Sequence, residues 1–120
     1  MNRAKTVQPI GILLVEDNPG DAEWIRVMLC ENQPTAPRVR VAERLADAIA
    51  HLQPGDTDAV LLDLQLPDSR GLETISAIRR AAPDVPVVVL TGHGDPQAGL
   101  SAMQDGAQDY LVKGQIDSDR

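Results

Sequence analysis

Side chains able to do chemistry recur in this sequence at one kind of place, the end of an apolar run. IGILLV, 10–15, runs into Glu16 and Asp17. In DAVLLDLQLPDSRG, 58–71, the run Ala59 to Leu62 ends in Asp63. PVVVLT, 86–91, ends in Thr91, and DYLVKG, 109–114, delivers Lys113. Three carboxylates gathered in one place repel unless a cation sits among them. Carboxylate and water oxygens suit Mg²⁺, which keeps several waters and bridges to phosphate. A hydroxyl and an ammonium facing such a cluster suit a phosphoryl group. An Asp can itself accept that group as an aspartyl-phosphate. Taken singly each signal is weak: acidic pairs after strands are common, and a strand-final Thr or Lys is more often a cap or a solvated end. The joint pattern carries the reading.

The elements that must position these residues follow from periodicity. Continuous apolar runs of four to six residues read as strands buried on both faces, the kind found in parallel sheets. Asn18 then Pro19 reads as an N-cap followed by N1, opening a helix to about Cys30 with an inward stripe of Ala22, Ile25, Met28 and Leu29. Trp24 and Val27 lie beside that stripe, and Trp24 is read as a packing residue. RVRVA, 38–42, alternates like an exposed-edge strand. ERLADAIAHL, 43–52, is a helix striped by Leu45, Ala48, Ile49 and Leu52 and ended by Pro54 and Gly55. After Asp63, Pro67, Asp68, Ser69 and Gly71 turn the chain. GLETISAIRRAA, 71–82, is a helix expected to bury Leu72, Ile75 and Ile78, with Arg79 and Arg80 near its C-terminal end, where the dipole favours cations. A short helix at about 96–105 has a weak stripe of Leu100 and Met103. Five strands alternating with helices predict a doubly wound parallel sheet with right-handed crossovers. The carboxyl ends of such strands form the edge where ligands bind.

Bulk numbers bound the rest. A chain of 120 residues suits one domain, and with no Phe, one Trp and one Tyr the core must be aliphatic. Net charge is −7, which argues against direct nucleic-acid binding because that needs a basic surface. Cys30 is the single cysteine, so there is no disulfide framework or zinc spacing. No apolar run approaches a membrane span, and MNRAKTVQPI lacks the apolar core of a signal peptide. A cytoplasmic home is the simplest reading. Residues 1–9 are expected to be a flexible arm and 10–120 the domain.

ILLVEDNPGD, LLDLQLPDSRGLE, VVVLTG and GAQDYLVKG, taken with their spacing, closely resemble a bacterial two-component response-regulator receiver domain. The resemblance spans nearly the whole chain from Ile10. It implies a flavodoxin-like sheet of order 2-1-3-4-5 and a phosphoacceptor function. By that resemblance Asp63 is the phosphorylated residue. Glu16, Asp17 and Asp63 are the Mg²⁺ carboxylates, Glu16 acting through water, and the backbone carbonyl of Gln65 is a further ligand. Thr91 and Lys113 bind the phosphoryl oxygens, and Thr91 with Tyr110 forms the switch that remodels the surface of the fourth helix and fifth strand. The side chains of Gln65 and His93 flank the path of the attacking water and tune dephosphorylation. Gly92 leaves room for the donor. The implied partners are a sensor histidine kinase or phosphotransfer protein, an output domain or partner protein, and a second copy of the chain in a homodimer.

Two features depart from the resemblance. Similar receivers carry Pro after the lysine, often with a cis peptide; here it is Gly114, and a cis bond before a non-proline residue is costly. A fifth helix should follow the fifth strand, and GQIDSDR ends before forming one, so the chain is expected to be an N-terminal receiver excised from a longer protein. Rival readings are a pseudo-receiver that binds partners without phosphorylation, a flavin carrier and an Asp-nucleophile phosphatase. The intact set of five residues argues against the first. EDNPGD in place of a phosphate-cradling loop argues against the second. The lack of a second Asp two positions after a first-strand nucleophile argues against the third.

Overall fold

A computed structural model describes residues 9–31, 35–91, 101, 103, 104 and 106–112. The apolar runs become strands whose two faces are covered differently. In chain order the elements are β1 (Gly11–Val15), α1 (Pro19–Cys30), β2 (Arg38–Ala42), α2 (Leu45–Leu52), β3 (Ala59–Asp63), β4 (Gln65–Leu66), β5 (Ser69–Arg70), α3 (Leu72–Ala81), β6 (Val87–Thr91) and β7 (Asp109–Val112). The main sheet is parallel, in the order β2-β1-β3-β6-β7. Counting its own strands in sequence, that is the expected 2-1-3-4-5.

Strand alternation splits the core in two. Leu13, Val15, Val60, Leu62, Val87 and Val89 pack with Ala48 and Leu52 of α2 and Ile75 and Ile78 of α3. Ile12, Leu14, Leu61 and Leu90 pack with Ala22 and Ile25 of α1, and the half-buried Trp24 lies against them. Trp24 is thus a packing residue, as expected. Asn18 caps α1, its side-chain oxygen accepting the Asp21 amide at 2.9 Å, with Pro19 at the first helical position. Strand β2 lies at the sheet edge, and only Ala42 of it is buried. Its Arg40 pairs with Asp56 at 3.0 Å, an exposed contact worth at most about 1 kcal/mol.

Three local expectations need correction. Leu72 was expected in the core and is 45% exposed, while Thr74 is fully buried. Residues 72, 75 and 78 all step by three, and at about 100° per residue such a row winds away from any one face. The face that meets the sheet is Thr74, Ile75 and Ile78. Second, α2 begins at Leu45, two residues after the expected start. Third, the segment after Asp63 is more than a turn: β4 and β5 pair antiparallel around Pro67 and Asp68. Of the predicted short helix at about 96–105, residues 101, 103 and 104 are helical and the rest lies outside the described residues. So do residues 1–8 of the expected arm and the Lys113–Gly114 turn.

Candidate functional site

Sheet register assembles the site before any side chain is considered. Val15 ends β1 opposite Leu62, so Glu16 and Asp63 leave neighbouring strands side by side. Asp63 pairs with Leu90, which sets the backbone of Thr91 one step further on in β6. Thr91 in turn pairs with Val112 of β7, and Tyr110 with Val89. Glu16, Asp63 and Thr91 therefore reach one sheet edge, and Tyr110 registers two residues short of it. Gly92, His93, Lys113 and Gly114 lie outside the described residues.

Glu16, Asp17 and Asp63 each bring a carboxylate oxygen within 4.8 Å of the others. Glu16 is 1% and Asp63 8% exposed, whereas Asp17 is exposed. Two unit charges at that separation repel by about 3 kcal/mol at an effective dielectric near 20. Three oxygen donors, two of them withdrawn from water, fit a hard divalent cation in both chemistry and spacing. Oδ1 of Asp63 accepts the Gln65 amide at 3.0 Å, and the Asn18 amide donates to Oε2 of Glu16 at 3.3 Å. The loops after β1 and β3 are thus each tied to a carboxylate of the cluster. The Gln65 side chain is exposed.

The β4–β5 hairpin leaves the site and is anchored twice more. Ser69 Oγ and Thr74 Oγ1 share a hydrogen bond of 2.6 Å, fastening β5 to α3. At the hairpin tip Asp68 accepts the amides of Leu45 at 2.8 Å and Ala46 at 3.1 Å. Arg44, the N-cap of α2, makes no side-chain capping bond; Asp68 caps the helix from another segment. The Leu45 amide, opposed by burial and aided by the Ala46 amide, the Asp68 amide itself and Arg44, holds the Asp68 carboxyl below the usual carboxylate range. Sequence reasoning missed this role. Asp68 was legible as a turn former, but nothing periodic links it to residues 22 and 23 positions earlier.

The chain matches the family described as response regulator receiver domain over residues 12–119. It is 36% identical over 100 residues to the regulatory protein LuxO of Vibrio cholerae serotype O1, a match covering 83% of this chain and 21% of LuxO. The chain thus spans about a fifth of that relative's length. Among solved structures, the phosphorylated cyanobacterial phytochrome response regulator RcpA superposes with a TM-score of 0.77 at 25% identity, covering 91% of this chain and 86% of that one. The Mn²⁺-bound response regulator Rcp1 superposes with a TM-score of 0.74 at 28% identity, covering 92% and 86%. With its flavodoxin-like sheet, its strand-end carboxylates and a family match over almost its whole length, the chain belongs to the response regulator receiver domains.

Proposed function

We propose that this receiver is a phosphoacceptor: Asp63 takes a phosphoryl group from a phosphohistidine on a sensor histidine kinase or phosphotransfer protein. The observation that carries this reading is the convergence of the Glu16, Asp17 and Asp63 carboxylates, two of them buried, at the strand ends. A carboxylate oxygen of Asp63 attacks phosphorus as the phosphohistidine P–N bond breaks, and the imidazole leaves with the electron pair. Glu16, Asp17, Asp63 and the Gln65 carbonyl would hold Mg²⁺, Glu16 through water. When bound, the ion offsets the charge that gathers on the phosphoryl oxygens. The Gln65 amide on Oδ1 orients the Asp63 carboxylate. Catalysis is then positioning and electrostatics.

Thr91 and Lys113 are assigned to the phosphoryl oxygens, Thr91 and Tyr110 to the switch, and Gln65 and His93 to the rate of hydrolysis. An output domain or partner protein, or a second copy of the chain, reads the switched surface. The domain is assigned to the cytoplasm; among the described residues no helix is long and apolar enough to cross a membrane. The phosphorylated and Mn²⁺-bound states named for RcpA and Rcp1 support both halves of the proposal.

The test is intact mass after incubation with Mg²⁺ and acetyl phosphate. One phosphoryl adduct is expected in the wild type and none in Asp63→Asn or with a chelator present. No adduct in the wild type would overturn the reading in favour of a pseudo-receiver.

A further inference from the structure

The hairpin beside Asp63 has two residues in each strand. A lone two-stranded hairpin is marginal in water even at greater length, so its shape depends on what holds it. Gln65 binds Asp63 at its root, and the Gly71 amide donates to the Leu64 carbonyl at 3.0 Å across its base. Ser69 meets Thr74 on its return strand. All these bonds stay within residues 63–74. Two parts of the hairpin reach a separate element: Leu66 is buried in the core that holds Ala48 and Leu52 of α2, and at the tip Asp68 takes both the first and the second amide of α2. That element is fixed: Ala48 and Leu52 of α2 are buried in the same core as Val60 and Leu62 of β3.

We propose that Asp68 is a positioning residue for the carboxylate site, holding the Gln65 backbone against Asp63 by tethering the hairpin tip to the first turn of α2. This rests on the metal-dependent reading above, since the Gln65 carbonyl is one of the assigned ligands. The tether serves two ends at once. The first amides of a helix have no partner within it, so α2 gains a cap, and the hairpin gains a fixed reference. By linkage the effect is reciprocal. A cation that immobilises the Gln65 carbonyl steadies the hairpin, and the Leu45 and Ala46 amides open less often.

A residue that only caps α2 would predict something different, and the two roles can be separated. Asp68→Ala removes cap and tether together. Arg44 has extended backbone, with φ −139° and ψ 158°, the conformation of an N-cap. Adding Arg44→Ser to Asp68→Ala therefore returns a cap to α2 without returning the tether.

The experiment titrates the full 120-residue chain with Mg²⁺ alone, following backbone amide shifts and the exchange rates of the Leu45 and Ala46 amides. Stability in urea is measured alongside for each variant. Asp68→Ala is expected to weaken Mg²⁺ binding about tenfold, the lower end of what outer-shell partners of metal ligands contribute. In the double variant stability should recover and affinity should not. In the wild type, Mg²⁺ should slow exchange at Leu45 and Ala46. Mg²⁺ affinity unchanged in Asp68→Ala, or restored by the local cap, overturns the positioning role while leaving the metal site intact. Absence of Mg²⁺ binding in the wild type, or equal binding in Asp63→Asn, overturns the metal-dependent reading itself and the tether with it.

Discussion

Gly11 sits where the sheet leaves little room. A Cβ built there would lie 2.6 Å from the Asp56 carbonyl oxygen and 2.9 Å from the Arg38 guanidinium. The guanidinium is the end of a long side chain and can swing away. The carbonyl is backbone, and the adjoining segment is held by Asp58, whose Oδ2 accepts the Gly11 amide at 2.7 Å and whose own amide donates to the Gly11 carbonyl at 2.7 Å. Gly11→Ala is therefore expected to destabilise the domain by about 1–3 kcal/mol, the usual range for overpacking. Urea unfolding measures it, and an effect below about 0.5 kcal/mol would mean that the β1–β3 clamp yields. The chemistry-bearing residues were far easier to read than this one. Asp63 and Glu16 announce themselves because an apolar strand ending in a carboxylate is conspicuous, whereas Gly11 resembles any small residue in a run.

Elements that owe their ends to distant partners were the illegible ones. The α1 cap is local, Asn18 to Asp21, and its sequence signature was sufficient. The α2 cap comes from Asp68, so local pattern placed the helix start two residues early. The β4–β5 hairpin is too short for alternation to register, and its Pro67–Asp68 tip reads simply as a turn. Leu72 misleads because a run of three-residue steps imitates a helix face. The cap also makes a prediction in stability. Losing an N-cap acceptor typically destabilises by about 1 kcal/mol, so Asp68→Ala should lower unfolding stability by about that much at neutral pH. The Asp68 carboxyl is held below its ordinary value in the folded state. Its contribution is thus fully present above the unfolded value, near about 4, and is lost as pH falls through the lowered folded value. The gap between wild type and Asp68→Ala should stay constant from pH 7 to about 5 and close in strong acid. A gap that instead widened on acidification would show that the carboxylate form is not the one that caps.

For the molecule as a whole, topology was the most legible property: strongly apolar strands alternating with helices admit few arrangements, and the observed order is among them. The whole-molecule charge then complicates the simplest test of the metal site. With 18 acidic and 11 basic residues, any added salt screens self-repulsion, so stabilisation by Mg²⁺ alone proves little. A specific site has a different concentration dependence. Binding to the folded state stabilises by RT ln(1 + [Mg²⁺]/Kd), about 2.7 kcal/mol at a hundredfold excess over Kd. That increment should remain after NaCl of matched ionic strength is subtracted. Asp17 supplies the control, because its side chain is exposed and Asp17→Asn removes one charge of the cluster without opening a cavity. With chelator present the variant should be at least as stable as the wild type, since it relieves repulsion from Glu16 and Asp63, and it should lose most of the Mg²⁺ increment. An increment that NaCl reproduces, or that Asp17→Asn keeps in full, would assign the effect to screening of the net charge and remove the strand-end carboxylates as its source.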